Sequence, residues 1–281
     1  GIGHAQLKAD KGNAGKSFSE LSENLYFKNV ATCGNGYFHG VIEEVASAET
    51  SKDGLVDLLM PICGSLKNSL SDCYHGVGHA AYIQLNYNTT DALYVCDSVT
   101  KDLFMNFSCQ MGVFMEMAQD FKKADLVNVK GDTLEFKVCE VLPDRYREAC
   151  YSQHVAFFSD IAPEPENYRT LIQYCKQISQ PRYRMACIKF FAGKAVRSAQ
   201  YADVRGMCVD GTSSRDERVM CTAAFATRIA RSIDAKKGRQ FNRIVNDICR
   251  YLPWYEVGLC QDLGLNQRDK IYFDPVNTGV M

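Results

Sequence analysis

The sequence predicts an all-α fold: an α-solenoid of about seven helical hairpins, with each of the last six stapled by a local disulfide. Three observations predict it. The cysteines fall into evenly spaced pairs, the chain repeats itself around them, and strand signals are weak, with no sustained apolar/polar alternation between Asn-Gly or Asp-Gly turns.

The cysteines come first because they set the repeat. Thirteen stand in the chain. After Cys33 they pair as Cys63/Cys73, Cys96/Cys109, Cys139/Cys150, Cys175/Cys187, Cys208/Cys221 and Cys249/Cys260, with separations of 10 to 13 inside pairs and 21 to 30 between them. No C-x-x-C occurs, so thiolate zinc fingers and thioredoxin-like motifs are excluded. A copper-storage bundle of reduced thiols would place cysteines four apart on one helix face, and no such pair exists. Local disulfides imply an extracytoplasmic compartment: periplasm, cell surface or secretory lumen.

Aligning the second cysteine of each pair exposes the repeat. From Cys33 to Cys260 the anchors are 40, 36, 41, 37, 34 and 39 residues apart, a period that means stacked supersecondary units. PDRYREAC before Cys150 and PRYRMAC before Cys187 are near copies. In the fourth unit Thr133–Leu142 reads as the first helix and Pro143–Ser159 as the second. Pro143, Pro181 and Pro253 stand where second helices begin, a favoured place for proline. Pro165 is placed to open the first helix of the fifth unit. One cysteine then lies near the end of the first helix and its partner about two turns into the second. The architecture is similar in style to tetratricopeptide or Sel1-like arrays and right-handed; the signature residues of those families are not present.

The ends frame this array. Gly1–Lys16 is polar and reads as a flexible leader, residues 17–265 as the repeat domain, and residues 266–281 as a C-terminal tail. Cys33 has the anchor position without a partner, since Glu20, Leu21, Ser22 and Glu23 stand where one would fall. It is expected to be unpaired, or joined to a removed segment or another chain. A nucleophilic role with His39 is disfavoured, because six residues on one helix place the two about 120° apart.

Composition narrows the class. The chain has 281 residues, 46% hydrophobic and 23% charged, which argues against disorder and fibrous structure. No run approaches a membrane span, and a net charge of −1 gives no pull toward nucleic acid. Residues 181–281 carry 17 Lys/Arg and 10 Asp/Glu, or +7, leaving −8 for residues 1–180. Lys194 and Arg228 share one repeat position and Arg197 and Arg231 another, a possible basic ladder for a phosphate, an acidic glycan or an acidic partner surface. Asn88 and Asn106 head glycosylation sequons, of which Asn88 lies in a better-exposed loop.

Chemistry concentrates in the first three anchors. His39, His79 and Met115 occupy the sixth place after their cysteines; His75 and Met111 occupy the second. These places are four apart, on one helix face. Adjacent second helices would bring them together, with Glu43 and Glu116 nearby. Imidazole suits copper, zinc or iron, and thioether selects copper. HEXXH is absent, because Gly76, Val77 and Gly78 stand between His75 and His79. The alternative to a metal site is a packed layer with methionine gap-fillers and glycines at 36, 40, 76, 78 and 112. His4 and His154 stand off the line.

These features point to an extracytoplasmic binding or scaffold protein, with a protein or acidic ligand on its repeat surface and copper held by His39, His75 and His79 with Met111 or Met115. The alternatives are a metal-dependent hydrolase or oxidoreductase using Glu43, Glu44 or Glu116 as base, and a surface-layer or filament subunit joined through Cys33 or the tail.

Overall fold

A computed structural model of the chain describes residues 36–64, 70–123, 138–161, 172–173, 175–195, 205–233 and 238–266. The leader, Cys33, Pro165, Arg197 and the tail beyond Asn266 lie outside them, as do the side chains of His154 and Lys194. Among the described residues the protein is all-helical, without strands, and holds all six expected disulfides. The chain divides into two compact units, Gly1–Lys130 and Gly131–Met281.

The first unit contains α1 (Gly36–Ala46), α2 (Lys52–Gly64), α3 (Leu70–Gln84), α4 (Thr89–Val99) and α5 (Leu103–Lys123). Side-chain caps fix two of these starts. Asn88 accepts from the Asp91 amide at 3.1 Å, and Asp102 accepts from Phe104 and Met105 at 3.0 and 2.9 Å, satisfying amides that a helix N-terminus leaves open. α3 packs against α1 on one side and α5 on the other, while α2 packs against α4. Val41, Ile42, Leu55, Leu59, Val77, Val95, Val113 and Phe114 are buried between them.

Two glycines set the closest approach. A Cβ on Gly78 would run into the carbonyl oxygen of Cys109, and one on Gly112 into the carbonyl oxygen of His75. Backbone therefore meets backbone where α3 crosses α5, and only glycine fits there. Asn106, the second sequon, is tied to the Cys96 carbonyl at 2.9 Å. Asn88 is exposed but serves as the cap of α4.

The second unit contains α6 (Asp144–Ile161), α7 (Pro181–Ala195), α8 (Arg215–Ile233), α9 (Arg239–Cys249) and α10 (Trp254–Leu265). The expected prolines open helices: Pro143 and Pro253 stand one residue ahead, and Pro181 is the first helical residue. Ser214 and Glu217 cap α8 reciprocally, with the Glu217 amide on the Ser214 hydroxyl at 3.2 Å and the Ser213 and Ser214 amides on the Glu217 carboxylate. Successive second helices pack in a row, α6 on α7, α7 on α8 and α8 on α10.

The staples sit in a fixed register. Cys109, Cys150, Cys187, Cys221 and Cys260 are each the seventh residue of their helix, about two turns in, as the spacing predicts. Their Cα atoms stand 5.4 to 5.7 Å from those of their partners. Cys208 differs from its counterparts, lying in a five-residue π-helical turn, Arg205–Val209.

Ion pairs repeat in the same register. Arg184 and Arg218 each stand three residues before an anchor cysteine, and Glu217 and Glu256 four before. Arg184 reaches Glu217 at 2.6 Å, and Arg218 reaches Glu256 at 2.7 Å. Each pair therefore ties one second helix to the next. Arg147 and Arg184 also return to the preceding turn, donating to the carbonyls of Leu142 and Ile178, both at 2.8 Å.

Candidate metal centre

α1 contributes His39, and α3 contributes His75 and His79, four residues apart and so on one face. The packing of α1 on α3 brings the three imidazoles together. Ring centroids are 4.3 Å apart for His39 and His79, 4.8 Å for His75 and His79, and 5.3 Å for His39 and His75. One ring nitrogen from each lies within 4.8 Å of the others. An ion bound at 2.0–2.1 Å would need nitrogens about 3.4 Å apart, so at most about an ångström of ring movement closes the set.

The hydrogen bonds around the rings fix which nitrogens are offered. His79 is 2% exposed, and its Nδ1 lies 2.6 Å from the Glu116 carboxylate. His75 Nδ1 lies 3.1 Å from the Ser108 carbonyl oxygen. Both partners accept, so both Nδ1 atoms carry protons and the lone pairs sit on Nε2. Glu116 thus stands to His79 as a carboxylate stands behind a ligand histidine in metal sites, where it fixes ring orientation and raises basicity. The Ser108 hydroxyl donates to the Ser71 carbonyl at 2.7 Å, joining α5 to α3 a second time.

Two atoms stand out. The Nε2 atoms of His39 and His79 are buried and have no hydrogen-bond partner. A buried polar atom left unpaired costs about 1–3 kcal/mol, so a layer serving packing alone would carry that cost twice. Both belong to the three-histidine cluster.

Burial first, and the electrostatic influence of neighbouring His79 second, pull the pKa of His39 down to about 3. Its ring is therefore neutral and ready to ligate. Asp72, one turn before His75, is pushed up to about 6 by burial. These shifts set a pH prediction for the metal-free protein. Unfolded His39 takes a proton near 6.5 and folded His39 only near 3, so its contribution to stability is lost as pH falls through that window. Asp72 acts oppositely between about 6 and its ordinary 3.8, but its displacement is smaller. Urea midpoints of chelator-treated protein should fall from pH 7 to pH 5, and His39→Leu should flatten the fall. An unchanged slope in that variant would remove His39 as the cause.

The other expected residues are distributed as follows. Met111 is buried and Met115 half-buried on α5. Glu43 and Glu44 are half-buried on α1. Of the basic ladder, Arg228 is exposed and Arg231 half-buried on α8. The tie between Glu116 and His79 was not foreseen; the signal for it was Glu116 one place after Met115, on the helix next to α3. Among the described residues no helix is long and apolar enough to cross a membrane. No protein-family model, no curated protein and no solved structure matches the chain.

Proposed function

We propose that the protein is an extracytoplasmic helical-repeat binding protein that holds one transition metal ion on His39, His75 and His79. The observation that carries this reading is the pair of buried, unpartnered Nε2 atoms on His39 and His79 beside a third imidazole. Three imidazoles suit copper, zinc or iron. Copper is the first candidate, and Met111 or Met115 on α5 would add a thioether that selects it; zinc or iron is the alternative, with Glu43.

The six disulfides support an oxidising compartment. The row of second helices in each unit supports a solenoid reading, and such arrays offer broad surfaces to partners. Arg228, exposed on α8, and Arg231 would receive a protein or another acidic ligand there, as would Lys194 and Arg197, which share their repeat positions in the sequence.

The test is metal uptake by protein purified without a histidine tag. About one equivalent of copper or zinc per chain is expected, and none for His75→Ala with His79→Ala, whose helix content should be retained. A wild-type chain that stays empty when offered Cu(II), Cu(I) and Zn(II) would remove the proposal.

One observation favours a second reading, a metal-dependent enzyme. Three protein nitrogens leave a fourth coordination position for water. Glu116 is committed to His79, so Glu43 or Glu44 would have to act as base.

A further inference from the structure

We infer that the bound ion is a clasp that locks α1 onto α3, whereas α3 and α5 are each held by a disulfide to the first helix of their own hairpin. This rests on the metal reading above. Cys63–Cys73 ties α2 to α3, and Cys96–Cys109 ties α4 to α5. Among the described residues no disulfide holds α1. The sequence explains why: Glu20, Leu21, Ser22 and Glu23 stand where the partner of Cys33 would fall.

The ligands divide unevenly between firm and loose ground. His75 and His79 stand on α3, inside a stapled hairpin, with both Nδ1 atoms bound to α5. The contacts at Gly78 and Gly112 hold those two helices backbone to backbone. Two ligands are therefore set in advance. The third arrives on α1, an 11-residue helix too short to persist alone. α1 meets α3 where Ile42 and His39 lie against Gly76, and Val41 and Ala46 on the same helix are buried.

An ion that uses His39 binds the docked state more tightly than the undocked one, so it must shift α1 toward docking. If undocking sacrifices one of three ligands and most of the affinity, free metal at a hundred times its Kd suppresses undocking tenfold or more, with a ceiling near a hundredfold. The centre then works as a metal-dependent clasp on the first helix.

Hydrogen exchange on the full oxidised chain, with and without Zn(II) or Cu(II) buffered at a free concentration of about a hundred times its measured Kd, tests this alongside elemental analysis of the same samples. Amides of residues 36–46 should slow tenfold or more on loading, while those of residues 239–249 should not change. His39→Ala should still take up metal, more weakly, and its α1 should not respond. A wild-type chain that carries its ion with α1 exchange unchanged overturns the clasp and leaves the metal reading standing. So does a His39→Ala chain that responds like wild type. Failure to take up any ion overturns both.

Discussion

Glu256→Ala should destabilise the second unit by about 3 kcal/mol, the low end for breaking a buried ion pair. Glu256 is 0% exposed and faces Arg218 with two contacts, at 2.7 and 3.3 Å. Removing the carboxylate leaves a guanidinium without its partner between α8 and α10. Arg218 retains some access to water, which keeps the loss from the upper end. The double variant Arg218→Met with Glu256→Leu should recover most of the stability, because the penalty comes from an uncompensated charge and not from lost attraction. Urea unfolding followed by far-ultraviolet dichroism is the measurement. Tryptophan emission is a poor reporter, since the single tryptophan, Trp254, is already 86% exposed in the fold. A loss below about 1 kcal/mol, the scale of an exposed pair, would show that Glu256 is not held out of water as described.

Removing the Cys96–Cys109 staple, as Cys96→Ala with Cys109→Ala, should cost about 3 kcal/mol on the chain-entropy account. It should also weaken metal binding, although neither cysteine belongs to the cluster. The link is α5. The Cys109 carbonyl is the atom against which Gly78 packs, and the same helix carries Ser108 and Glu116, which orient His75 and His79. Loosening the start of α5 relaxes both supports. Supporting residues of this kind typically change metal affinity ten- to a hundredfold when disturbed. Removing Cys249–Cys260 in the second unit should destabilise similarly and leave metal affinity unchanged. Equal effects of the two removals on affinity would refute the route through α5.

Much of this was legible because it is local. Disulfides between residues 10 to 13 apart can be read from spacing, and the seventh-residue register follows from a constant distance between helix start and anchor. The meeting of His39, His75 and His79 was also legible, because repeat periodicity maps equal positions onto neighbouring helices. What escaped depends on rotation of one helix against another. Glu116 was visible as a neighbouring acid, but its bond to His79 needs the α3–α5 crossing that Gly78 and Gly112 permit. The ion pairs were written in plain view as RYREAC, RYRMAC and DERVMC, yet an arginine at a fixed offset reads as an exposed cation until its acid is placed on the next helix.

The sulfur links have a consequence for biogenesis. Every cysteine from Cys63 onward is bonded to its nearest neighbour in the register, never across a later one. A chain emerging N-terminus first presents partners in the order in which they must join, and short loops close most readily. An oxidase acting on the emerging chain would therefore form these six links hairpin by hairpin, with Cys33 the one competitor, and its loop to Cys63, 30 residues against 10 for Cys63–Cys73, closes less readily.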